Sequence, residues 1–187
     1  MKPGVRALGI AESYRGDRST LAGAVSTTEG VVDGFSFEDC TVGGSDATEA
    51  VVAIDEALDR EDVQYVFVAG VALAWFNLVD LAAVERAVGR PVLSVTFEES
   101  EGLEPALRDE FSGAALEDRL ETYRSLPDRR ATTVNGERVF VRSVGLDRDP
   151  REVVDAYTPR GGRPEPVRVA RLAARAADAY VARTEAD

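Results

Sequence analysis

The sequence predicts an α/β domain built on one mixed sheet, with the first three strands antiparallel, the later strands parallel and helices on both faces. Three observations lead there. Residues 64–69, QYVFVA, form a nearly continuous apolar run of strand length, the pattern of a central strand buried on both sides. Ahead of it, residues 5–41 hold three β-forming stretches joined by short turns, as in an antiparallel meander. After it, apolar residues recur at helical spacing between 78 and 88, and a second β-rich stretch follows, as in a β-α-β crossover.

Val5 to Ala11 reads as a buried first strand and Ser19 to Thr27 as a second, joined through the turn-rich Tyr14-Arg15-Gly16-Asp17. Gly30 to Thr41 reads as a third, with Val31, Phe35 and Phe37 as its β-formers. Ser45-Asp46-Ala47-Thr48-Glu49 has a capping-box pattern, and Val51, Ile54 and Leu58 follow at helical spacing. Leu78 to Val88 is expected to be helical and to stop at Gly89, before a strand from Pro91 to Phe97. Leu103 to Leu126 is acidic and helical, broken near Ser112-Gly113. Residues 132–145 carry Asn135-Gly136 between β-rich flanks, a hairpin signal. Pro164 and Pro166 open a long terminal helix that runs to Arg183.

A chain of 187 residues fits one domain spanning 1–187. Its net charge of −12 comes from 34 acidic against 22 basic residues, and Lys2 is the only lysine. Such a surface is expected of adaptation to a salt-rich cytosol, where carboxylates hold water and ions, or of an ordinary acidic protein from a GC-rich genome, which would also favour Arg over Lys. Cys40 is the only cysteine, so no internal disulfide can form and a reducing compartment is expected. Neither a signal peptide nor an apolar run of spanning length is visible, which predicts a cytoplasmic protein. Histidine is absent, which excludes a Ser-His-Asp triad, imidazole acid–base catalysis and zinc held by imidazole. Chemistry here must use carboxylates, Arg, Tyr, Ser or a metal held by oxygen.

The charge is uneven. Residues 138–187 hold ten arginines against eight acids, so the remainder of the chain carries all of the negative excess. Arg168, Arg171 and Arg175 recur at helical spacing and form one basic stripe, with Arg160 and Arg163 just ahead of it. Two readings stay open for the stripe: a solvated face paired to the acidic body, or a surface for phosphate.

Two stretches at opposite ends of the chain resemble one family. GIAESYRGD, residues 9–17, is similar to the first-strand signature of endonuclease V, and RGGRPEPVRVARLAARAA, residues 160–177, is similar to its C-terminal Pro-Glu-Pro-x-Arg motif. GSDAT (44–48) and AGVALAWFNLVD (69–80) extend the resemblance to the archaeal relatives of that family known as endonuclease dU. The resemblance covers nearly the whole chain. It implies a ribonuclease H-like, endonuclease V-like fold and Mg²⁺- or Mn²⁺-dependent hydrolysis of DNA at deaminated bases such as uracil or inosine, as in DNA repair. It also implies carboxylates at three positions, which here read Ala11, Asp46 and Ala69. Its lysine and histidine positions fall loosely near Phe97 and Leu146.

Glu12 and Asp46 are then the candidate catalytic and metal-binding residues, with Asp80 as a further oxygen donor that could share a helical face with Asn77. Glu12 replaces a ligand at position 11 only if the first strand ends or bulges there, because successive strand residues face opposite ways. Asp46 has a second reading as a helix N-cap. Tyr14, Asn77, Arg160, Arg163 and Arg168 are the candidates for contact with nucleic acid, and Trp75 and Phe76 could be core residues or a stacking platform. Three functions remain open at this point: a metal-dependent endonuclease, a relative that has lost catalysis and binds nucleic acid or protein, and a small-ligand binder using the former site.

Overall fold

The protein is described by a computed structural model over residues 2–184. Nine strands and six helices follow one another along these residues. The meander is β1 (Arg6–Arg15), β2 (Arg18–Thr27) and β3 (Val32–Thr41), followed by α1 (Ala47–Leu58) and β4 (Val63–Val68). A two-stranded hairpin, β5 (Ala72–Leu73) and β6 (Asn77–Leu78), leads into α2 (Leu81–Val88) and β7 (Val92–Thr96). Then come α3 (Glu104–Glu110), α4 (Gly113–Ser125), β8 (Arg130–Val134), β9 (Glu137–Val144), α5 (Pro150–Ala156) and α6 (Glu165–Thr184).

Seven strands form one mixed sheet in the order β3-β2-β1-β4-β7-β9-β8. β1, β4 and β7 are parallel neighbours at its centre, and the meander and the β8–β9 hairpin add antiparallel wings. The expected fold class is therefore present. The apolar run at 66–68 is fully buried because helices cover both of its faces. On one face Leu8, Ile10, Val66 and Val68 pack with Val51 and Ile54 of α1 and Leu81 and Val84 of α2. On the other, Ala7, Phe67, Leu93 and Val141 pack with Val153 and Val154 of α5 and Val167 of α6.

Three local expectations change. β1 does not stop at Ala11; it continues to Arg15, paired residue for residue with β2 and without a bulge. The helix expected from Leu78 begins at Leu81, because Asn77 and Leu78 are spent on the hairpin. The α5 helix, entered at Pro150 behind the N-cap Asp149, has no counterpart in the sequence reading; seven residues hold too few periods for the pattern to register.

The contact of α6 with β1 fixes the site. A Cβ on Gly9 would overlap the backbone of Pro166 and stand 2.5 Å from the Val167 nitrogen, so only glycine lets the first turn of α6 rest on β1. One turn further on, Ala170 packs on Ala11 and Ala24, all three fully buried. The stretches GIAE and PEPVR, at opposite ends of the chain, are thus two sides of one close packing.

Candidate functional site

The polar groups around the sheet fall into two regions, one where β1 meets α1 and one at the ends of β4 and β7. Glu12 lies on the α1 face, opposite to Ala11, as strand alternation demands of an unbulged β1. Its Oε2 accepts from Ser19 Oγ at 2.6 Å and from the Ala74 amide at 2.9 Å. That second bond pins an unusual turn: Ala74, Trp75 and Phe76 all have left-handed φ, at 41°, 60° and 60°. Gly43 N–H donates to the Ala74 carbonyl and the Arg119 guanidinium to that of Phe76, so the strained conformation is held from three sides. Trp75 sits exposed at its tip, in edge contact with Phe76.

Asp46 accepts from the Thr41 amide at 3.1 Å, from Thr41 Oγ1 at 2.8 Å and from Asn77 Nδ2 at 2.6 Å. It makes no side-chain cap to its own helix; Asn77 does so instead, accepting from the Ala47 amide at 2.9 Å through Oδ1. Asn77 is fully buried and also donates to the Thr41 carbonyl, so it is a structural bracket and not a group that reaches substrate. Partial burial works to raise the Asp46 carboxyl, but the bonds from Asn77 and Thr41 outweigh it and hold the group below the usual carboxylate range. Cys40, beside them, is pushed up to about 12, first by burial and then by the charges of Asp46 and Glu12, so it stays a thiol. Asp80 accepts from the amides of Ala82 and Ala83 as the N-cap of α2, and it shares no helical face with Asn77.

The carboxylates expected to hold a metal are therefore spent on the backbone and on Ser, Thr and Asn donors. Among the described residues no group of three or more Asp, Glu or Cys is placed to hold a metal ion. Nor does position 11 offer an empty place for a ligand, since Ala170 covers it. The residues at this point of the fold do not fit the divalent ion that the resemblance implies.

Where β4 and β7 end, a cleft of about 430 Å³ opens, lined from both faces of the sheet. Ala69 and Gly70 after β4 and Ser94 and Thr96 of β7 form its floor, and Phe97, Tyr123 and Phe140 stand in its walls. Four arginines line it: Arg129, Arg142, Arg163 and Arg171. Arg129 stacks on Phe140, 4.0 Å from the ring centroid, and donates to Thr96 Oγ1 and the carbonyls of Glu98 and Ser100. Arg142 lies over Tyr123 and donates to the Pro127 carbonyl. Arg163 stands 4.5 Å from the centroid of Phe97. Burial, then the neighbouring guanidiniums, lower the proton affinity of Arg129 and Arg171. Among the described residues none of the four has a carboxylate within ion-pair distance, whereas Arg6, Arg15, Arg18, Arg60, Arg90, Arg108, Arg124, Arg138, Arg148 and Arg168 are paired in this way.

Of the arginines singled out from the sequence, Arg163 and Arg171 line the cleft; Arg160 and Arg175 are exposed outside its lining, and Arg168 is bound to Glu165 at 2.6 Å. Tyr14, half-exposed at the end of β1, is not part of the lining either. Arg129 and Arg142 carry no signal in the sequence, because the β8–β9 hairpin, which Arg129 directly precedes and which holds Arg142, reaches the cleft only through its pairing with β7. No described helix is long and apolar enough to cross a membrane.

The comparisons with known proteins agree with this architecture. A UPF0215 protein of Pyrobaculum calidifontis is 35% identical over 181 residues, covering 94% of this chain and 98% of its own, and one of Archaeoglobus fulgidus is 31% identical over 178 residues, covering 91% and 92%. Among solved structures, a protein of unknown function from Archaeoglobus fulgidus matches with a TM-score of 0.80 at 28% identity, over 91% of this chain and 96% of that one. Endonuclease V of Streptomyces avermitilis matches at 0.62 and 19% identity, over 96% and 84%. Endonuclease V of Ciona intestinalis, in complex with a 24mer DNA containing an inosine, matches at 0.59 and 13%, over 94% and 86%. The last two share the ribonuclease H-like fold. A family model for endonuclease dU matches residues 3–178, and with that extent of agreement the chain belongs to the endonuclease dU family.

Proposed function

We propose that this protein binds DNA carrying deaminated bases in the arginine-lined cleft, as a member of the endonuclease dU family that has given up metal-assisted cleavage. One observation carries the proposal: the cleft at the ends of β4 and β7 gathers four guanidiniums, none in an ion pair among the described residues, against one acid, Glu98, beside positions 11 and 69 that read alanine. Guanidinium forks match phosphate oxygens in pairs, which lets them hold a nucleic-acid backbone without an ion between. The Asp46 and Glu12 carboxylates, outside the lining of the cleft, keep the Trp75 turn and the entry to α1 in place.

The acidic exterior fits this use in a salt-rich cytosol. Where salt is high, release of counterions drives binding little, so affinity must come from the local geometry of the arginines.

A second reading, Mg²⁺- or Mn²⁺-dependent cleavage at uracil or inosine, draws its support from the family match over residues 3–178. One experiment separates the two. Duplex and single-stranded DNA containing uracil, inosine or neither is incubated with the protein in high KCl, with Mg²⁺, Mn²⁺ or EDTA, and both binding and nicking are followed. The expected result is binding that favours the deaminated strands and survives EDTA, with no nicking. Metal-dependent nicking that disappears in Glu12→Ala or Asp46→Ala would establish the second reading.

A further inference from the structure

The four arginines of the cleft stand together without ion-pair partners. In a chain with 34 acids and 22 bases carboxylates outnumber cations, yet among the described residues only ten of the 21 arginines stand in an ion pair, and none of the ten lines the cleft. Arg129, Arg142 and Arg163 are held by neutral acceptors and aromatic faces: Thr96 Oγ1, the carbonyls of Glu98, Ser100 and Pro127, and the rings of Phe97, Tyr123 and Phe140; Arg171 joins them in the lining from α6. Such supports fix where a guanidinium stands and leave its charge uncompensated. The one acid in the lining, Glu98, is exposed at the rim and binds Arg129 through its backbone carbonyl only. Summed over the lining side chains, the cleft carries about three positive charges.

That excess selects among phosphates. An internal phosphodiester brings one negative charge; a terminal phosphomonoester brings nearly two and one more free oxygen. A volume of about 430 Å³ is in the range that receives one nucleotide-sized group, not a duplex. We infer that the cleft takes the phosphorylated end of a nucleic-acid strand, a terminal phosphomonoester with its nucleotide, and binds it without a divalent ion. The inference rests on the nucleic-acid reading above and narrows it to a strand end.

The test uses the intact protein and internally labelled strands of one sequence that end in a 5′-phosphate, a 3′-phosphate or hydroxyls only, compared by fluorescence anisotropy in EDTA and again in Mg²⁺. A phosphate at one end is expected to tighten binding roughly tenfold, equally in EDTA and in Mg²⁺. The Arg163→Ala, Arg171→Ala double variant, both residues being exposed and outside the core, is expected to lose that preference while keeping its circular-dichroism spectrum and unfolding midpoint. Equal affinity for phosphorylated and hydroxyl ends overturns the inference and leaves nucleic-acid binding standing. A preference that appears only with Mg²⁺ overturns the metal-free part of it. No binding to any strand overturns the nucleic-acid reading; inorganic phosphate titrated into the protein in a calorimeter then decides the anion site alone, and absence of binding there refutes it.

Discussion

Two regions of the molecule treat charge in opposite ways, the polar bracket where β1 meets α1 and the cleft at the ends of β4 and β7. In the first every singled-out carboxylate is saturated: Glu12 by Ser19 and the Ala74 amide, Asp46 by Thr41 and Asn77, Asp80 by the first turn of α2. In the cleft Arg129, Arg142 and Arg163 meet rings and neutral oxygens, and among the described residues no carboxylate lies within ion-pair distance of them. Saturated polar groups define a shape, whereas a charge fixed in place and left uncompensated defines a binding surface. The difference teaches that titratable residues near the ends of central strands are not equivalent: their hydrogen-bond partners, and the face they occupy, decide which of them are available for chemistry.

The largest way to break this division is at Gly9, which lets α6 lie on β1 and thereby sets the position of Val167 and Arg171 in the cleft wall. Gly9→Ala puts a methyl group into the backbone of Pro166, and neither strand nor helix can retreat without opening the Ala11–Ala24–Ala170 packing. The expected loss exceeds about 4 kcal/mol, read from urea unfolding or from failure to recover soluble protein. Unaltered stability would mean that α6 does not rest on β1 in this way. Next in size is Asn77→Ala on the α1 face. It strips the buried Ala47 amide and the Thr41 carbonyl of their partner, and a loss of about 2–4 kcal/mol is expected, since each orphaned buried group costs roughly 1–3 kcal/mol. Binding to nucleic acid, corrected for the folded fraction, should not change.

The converse variant alters the cleft and spares the fold. Arg163→Ala with Arg171→Ala is expected to weaken binding to a phosphorylated strand by roughly 10- to 100-fold and to flatten the dependence of log K on log salt by about one to two units, one per lost phosphate contact. Urea unfolding should be unchanged within about 0.5 kcal/mol, because neither side chain is buried in the core. If stability falls and affinity does not, the two arginines serve the fold and the contrast between the cleft and the polar bracket at α1 fails.

Much of the fold could be read from the sequence because its signals are local. The apolar run before Ala69, the meander and the Asn135-Gly136 hairpin stand where alternation and turn chemistry put them. The pairing of GIAE with PEPVR was visible as resemblance, but its physical content, a glycine under a helix turn, needed the coordinates. The site was less legible for a definite reason. Glu12 follows Ala11 in sequence, yet one step along a strand reverses the direction of the side chain, so adjacency in the chain meant separation across the sheet. Asp46 looked like a cap, but Asn77, thirty residues away, caps α1 and turns Asp46 into an acceptor for Thr41. The cleft combines a loop, two strands and a helix, and no periodicity in sequence marks such a convergence.

The finest comparison is between two carboxylates held low by different means. Asp46 is held by neutral donors, Asn77 and Thr41, which overcome its partial burial; Glu165 is held first by its hydrogen bond to the Arg168 guanidinium, against some desolvation. Both are lowered in the folded state, so each contributes stability that is present above its unfolded value, about 4, and is lost as pH falls through the lower folded value. Salt should separate them. An ion pair at the surface is screened in concentrated KCl, while hydrogen bonds from a buried amide and a threonine are not. Urea midpoints measured from neutrality down to about pH 3 are therefore expected to show a stability gap between wild type and Asp46→Asn that closes in acid and is the same in low and high KCl. The gap for Glu165→Gln should be smaller, at most about 1 kcal/mol, and should nearly vanish in high KCl at every pH. A gap for Asp46→Asn that shrinks with salt as the other does would show that its environment is ionic, and that the α1 face is not the neutral, saturated surface that sets it apart from the cleft.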